Sequence, residues 1–163
     1  MVEIKLDYEI KFHENLYLSI ECNQGESVSE YGDLYYFAND IHFIGKSNSY
    51  EKAVLSFISM LGCWIEKLKK TTYNVFLPFD FSDEYIGGLF ITNSNDNYIV
   101  RYGVSREFTG SAYAPFKCEL ITPQKGELVF IGGSLHFESL KEVISNIERI
   151  IIYLTMDLTH LGT

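Results

Sequence analysis

The chain has 163 residues, 47% of them apolar and 21% charged, which suits one domain with a sizeable core and is an ordinary globular composition, not that of a disordered chain. Its formal net charge of -9 argues against direct, non-specific binding to nucleic acid, which needs clustered Lys and Arg. Three widely separated cysteines, Cys22, Cys63 and Cys118, form no C-x-x-C pair, so reduced and mostly buried thiols in a cytoplasmic protein are expected.

Residues 2–12 alternate apolar and charged side chains, the period-two pattern of a strand with one wet face and not of a signal peptide. Residues 16–22 read as a weaker strand. Residues 23–33 (NQGESVSEYGD) are polar and rich in turn formers, so a loop is expected there. Residues 34–44 (LYYFANDIHFI) are strand-like at both ends. Over residues 49–70, Val54, Phe57, Ile58, Leu61, Trp64, Ile65 and Leu68 recur at helical spacing. Asn48 and Glu51 make a capping-box pattern at the start of this helix, and Lys67, Lys69 and Lys70 suit the negative end of its dipole. Gly62, inside the helix, costs some helical stability and leaves room for close packing.

Strands are then predicted at 73–79, 85–92 and 98–105, the last two joined by the hairpin-loop composition of 93–97. Further strands are predicted at 116–122 and 128–131, separated by a turn at 123–126. A second helix is expected over 139–154, with Leu140, Val143, Ile144, Ile147, Ile150, Ile151 and Leu154 on its buried face and a capping box from Ser139 and Glu142. The expected fold is a single α+β domain spanning residues 1–163, a mainly antiparallel sheet with two main helices packed on it. No apolar run is long enough to span a membrane.

The charge is uneven. Residues 1–48 hold nine acids against three bases, 49–75 two against four, and 76–137 seven against four. Catalytic motifs are scarce. D-I-H-F-I-G-K-S at 40–47 copies the second half of a phosphate loop, but Asp40 stands where the first glycine belongs and would repel phosphate. The four histidines lack metal-ligand spacing, so no metal and no cofactor are expected. A thiol nucleophile from Cys63 or Cys118 would need a distant histidine, and Cys63 lies on the helix stripe, where inert thiols are common. Asp80, Asp83 and Glu84, in FLPFDFSDEYIGGLFI, could form an acid–base pair only if one of them were desolvated. The alternatives are turn chemistry, with Asp80 and Ser82 accepting backbone N–H groups of their own turn, and contact with a basic partner.

The stretches LPFDFSDEYIGGLFI, YIVRYGVSREFTGSAYAP and FESLKEVISNIERII, covering roughly the last half of the chain, resemble bacterial immunity proteins, in particular those paired with toxins of contact-dependent growth inhibition and related polymorphic toxin systems. The resemblance implies a small cytoplasmic protein without enzymatic activity that binds one cognate toxin domain and blocks its active site. Many such toxins are nucleases with basic clefts, and an acidic inhibitor suits such a partner. Contact residues do not carry over within these rapidly diverging families. Candidates therefore come from the preference of interfaces for aromatic anchors beside pairable charges: Asp80, Asp83, Glu84, Tyr85, Asp96, Glu107 and Tyr113, with Glu26, Glu30, Tyr31 and Asp33 as a second patch. The competing expectations are a non-catalytic small-molecule or regulatory binding module with an aromatic pocket, an enzyme using the three central acids, and a structural subunit.

Overall fold

A computed structural model describes residues 3–5, 16–21, 27–32, 36–37, 49–70, 74–94, 97–113 and 115–161. The chain runs β1 (Glu3–Lys5), β2 (Leu16–Glu21), β3 (Ser27–Gly32), α1 (Ser49–Lys70), β4 (Asn74–Phe81), β5 (Ile86–Ser94), β6 (Asn97–Ser105), the short α2 (Gly110–Tyr113), 3-10 turns at Pro115–Leu120 and Lys125–Glu127, β7 (Leu128–Phe137) and α3 (Leu140–Leu161). Strands β4-β5-β6-β7 form one antiparallel sheet in chain order, and β1-β2-β3 form a second, also antiparallel. This is the expected α+β architecture, with β5 and β6 at the centre of the larger sheet.

The register explains the core. Val75, Ile91, Val100 and Leu135 stand opposite one another across four strands, and none is more than 7% exposed. Leu77, Leu89 and Tyr102 make a second buried row on the same face, since side chains two apart along a strand share a side. The helix stripes join this core: Val54, Phe57, Leu61, Trp64, Ile65 and Leu68 from α1, and Val143, Ile147 and Leu154 from α3, are all buried. Trp64 also anchors α1 to the sheet, donating its indole N–H to the Pro78 carbonyl at 3.1 Å. On the opposite face Phe76 and Phe90 pair and are buried, while the Arg101 guanidinium lies 5.3 Å from the Phe130 ring centroid.

Four local expectations are corrected. Residues 27–32 are a strand, because pairing with β2 satisfies their backbone groups in spite of their polar, turn-like composition. Tyr36 and Phe37 are helical where a strand is predicted; their neighbours within 34–44 lie outside the described residues. Residues 115–120 are short 3-10 turns meeting at a kink at Lys117, not a strand, and Pro115, Cys118 and Ile121 are buried. A Cβ on Gly62 would meet nothing within 4 Å, so no close packing requires glycine there. Asn48 lies outside the described residues, whereas Ser139 caps α3 by accepting the Lys141 N–H at 3.2 Å.

The Gly62 finding gives a first prediction. Gly62→Ala should stabilise the fold by about 0.5–1 kcal/mol, because alanine carries the lower entropic cost in a helix interior. Urea unfolding measures it; a loss of stability instead would mean that the helix is packed at this position.

Candidate functional site

One end of the larger sheet collects most of the central candidates. The β4–β5 turn at 82–85 is built by Ser82, whose Oγ accepts the N–H groups of Glu84 at 3.0 Å and Tyr85 at 3.3 Å, while its own N–H donates to the Tyr85 carbonyl. The expectation for Ser82 is therefore met. Asp80 sits 5% exposed inside β4, where its Oδ2 accepts the Tyr102 hydroxyl at 2.6 Å. The cause is a bulge between Pro78 and Asp80, which shifts the register of β4 against β5 ahead of the turn. Buried and hydrogen-bonded, Asp80 belongs to the core and not to a contact surface.

Asp83 and Glu84 are exposed at the tip of this turn and Tyr85 is half-buried. The Tyr36 hydroxyl donates to Asp83 Oδ1 at 2.6 Å and so orients its carboxylate, and the Tyr36 ring lies beside Phe81. The segment that leaves β6 docks onto the same turn, with the Gly110 N–H donating to the Ser82 carbonyl. A Cβ at Gly110 would stand 2.8 Å from Ser82 N and 2.9 Å from Phe81 Cβ, so this approach requires glycine. It brings exposed Glu107 and half-buried Tyr113 to the same end of the sheet. Tyr113 is held in place by Phe108, edge-on with centroids 5.0 Å apart, and by the Lys117 ammonium 5.9 Å from its ring.

Glu127, absent from the sequence candidates, arrives at this end because Leu128 pairs with Ser105. A hydrogen bond between the Glu107 and Glu127 side chains, with their mutual repulsion, holds the Glu107 carboxyl above the usual range. Its stabilising contribution is thus present below the ordinary glutamate range and is lost as pH rises through the raised value. Glu127→Gln is expected to move the Glu107 titration downward, read as the carboxyl carbon shift against pH by NMR; an unmoved curve would separate the two side chains. Four exposed carboxylates, Asp83, Glu84, Glu107 and Glu127, thus share this end with the exposed cations Arg106 and Lys125.

Asp96, Glu26 and Asp33 lie outside the described residues. The Ser94–Asn97 pair closes β5 and β6 at the end opposite the 82–85 turn, about 27 Å away at about 3.4 Å per residue. Glu30 and Tyr31 are on β3, opposite Leu18 and Tyr17, in the second sheet.

A second constellation was not foreseen from sequence. Cys63 of α1 and Cys118 and Glu119 of the Pro115–Leu120 turn place their two Sγ atoms and one carboxylate oxygen within 4.8 Å of one another. Cys63 is half-buried, Cys118 fully buried and Glu119 exposed. Lys67, one turn along α1 from Cys63, donates to the carbonyls of Phe76 at 3.2 Å and Ile121 at 2.9 Å. Burial holds its ammonium below the usual lysine range. The hydrogen bond from Cys118 pulls the Cys63 thiol down, and the same bond together with burial pushes Cys118 up. Such a cluster joins residues 55 apart in the chain, which no spacing rule reaches.

No family model matches the chain, and no curated protein matches it. Among solved structures, one chain from the CdiA-CT/CdiI toxin and immunity complex from Enterobacter cloacae is similar over 95% of this chain and 97% of its own length, at 12% identity and a TM-score of 0.45.

Proposed function

We propose that this chain is a non-catalytic immunity protein that binds a cognate toxin domain through the sheet end carrying Asp83, Glu84, Tyr85, Glu107 and Tyr113. The observation that carries the proposal is the gathering of exposed carboxylates and half-buried tyrosines around a turn fixed by Ser82 and docked on Gly110. Rigid aromatic groups beside pairable charges are what tight interfaces use, because little side-chain entropy is lost on binding. The sequence resemblance to immunity proteins names the class of partner. The net charge of -9 favours a basic partner, and a nuclease with a cationic cleft is the partner class that fits both. Binding there blocks the cleft to substrate, in the cytoplasm where the toxin would act.

Genomic position identifies the toxin to test, namely the domain encoded directly upstream. The purified chain is expected to form a stoichiometric complex with that domain and to restore growth of cells expressing it. A catalytically intact neighbouring domain that neither binds the chain nor is silenced by it would overturn the proposal.

A further inference from the structure

We propose that Cys63, Cys118 and Glu119 form a site for a thiophilic divalent cation of the Zn2+ class. The geometry is close to what such an ion requires. Zinc holds sulfur at about 2.3 Å and carboxylate oxygen at about 2.0–2.2 Å, so neighbouring donors in a tetrahedron stand about 3.4–3.8 Å apart. Cys63 Sγ and Glu119 Oε2 are already 3.5 Å apart, and all three donor atoms fall within 4.8 Å of one another. Small adjustments of side-chain torsions close the remainder.

The donor set selects the metal. Two sulfurs exclude Mg2+ and Ca2+, which take oxygen ligands, and the carboxylate favours a borderline ion over Cu(I). Three protein donors leave a fourth position for water. Binding releases one proton from each thiol to solvent and leaves two thiolates and one carboxylate, three negative charges against two on the ion. Lys67 supplies the missing positive charge. It acts electrostatically on both thiols, and its hydrogen bonds to Phe76 and Ile121 fix its ammonium in place. Exposed Glu119 and half-buried Cys63 give the ion a way in, whereas Cys118 forms the dry floor. The ion would clamp α1 to the turn that follows Tyr113.

The test is a Co2+ titration of the full-length reduced chain, kept anaerobic with a phosphine reductant. The expected result is a thiolate-to-cobalt charge-transfer band that saturates at one equivalent and is displaced by Zn2+. Cys63→Ser should abolish the band, and Glu119→Gln should weaken binding about tenfold or more. Zn2+ should also raise the unfolding temperature of wild type and not that of Cys63→Ser; circular dichroism confirms that this half-buried substitution leaves the fold intact. No band in wild type, or an equal band in wild type and Cys63→Ser, overturns the site.

Discussion

Gly88→Ala is expected to destabilise the fold by about 3 kcal/mol, the upper part of the range for overpacking a tight interior. A Cβ at this position would lie 2.7 Å from Pro78 Cα and press on the Leu77 carbonyl, and backbone of the paired strand cannot rotate away. With a urea slope of about 2 kcal/mol/M, the unfolding midpoint should fall by roughly 1.5 M. Gly87→Ala should also destabilise, by a different route. Its Cβ would meet the Tyr102 hydroxyl and stand 2.9 Å from Asp80 Oδ2, so relief would break a buried hydrogen bond and leave a carboxyl without that donor. Adding Tyr102→Phe should therefore recover part of the loss at Gly87 and none of that at Gly88. If both glycines accept alanine with less than about 0.5 kcal/mol of change, β4 and β5 do not pair in this register.

The same glycine pair shows where the sequence was legible. The strands expected at 85–92 and 98–105 and the helices expected at 49–70 and 139–154 are found as β5, β6, α1 and α3, because most of their apolar positions reach the core, although α3 runs on to Leu161. Patterning fails where the run is short. In 115–121, Phe116, Cys118 and Leu120 suggest alternation, yet Pro115, Cys118 and Ile121 are the buried set and Leu120 is 61% exposed. A period of three and a period of two share Cys118 and cannot be told apart over so few residues. It also fails where tertiary pairing overrides composition, as in the strand Ser27–Gly32.

The site was half legible for a related reason. Asp83 and Glu84 lie in a turn that Ser82 announces by its chemistry. Asp80, three residues away, obeys a bulge, and no property of D-F-S-D announces one. Glu127, Tyr36 and the two cysteines reach their partners only through the sheet register and the docking of α1, and these are set by packing across the whole chain.

In the complex proposed above, Asp83→Asn is expected to raise the dissociation rate roughly thirtyfold or more, since stranding a buried partner cation costs about 2–5 kcal/mol. Asp83 is the choice over its neighbour because the Tyr36 hydroxyl already occupies Oδ1, so the carboxylate meets a partner pre-oriented. Tyr36→Phe should therefore weaken binding too, by less than the loss of the charge itself. Glu84→Gln is expected to behave otherwise. Glu84 is exposed and its backbone, not its side chain, serves the Ser82 turn, so its charge acts at a distance. Its removal should slow association mainly at low salt, and the effect should shrink as ionic strength screens the field, while the Asp83 effect on dissociation persists. Surface plasmon resonance with the neighbouring toxin domain at two salt concentrations separates the two behaviours. If Asp83→Asn dissociates no faster than wild type at either concentration, Asp83 serves only its turn, and the contact lies with Glu107, Tyr113 or the second sheet.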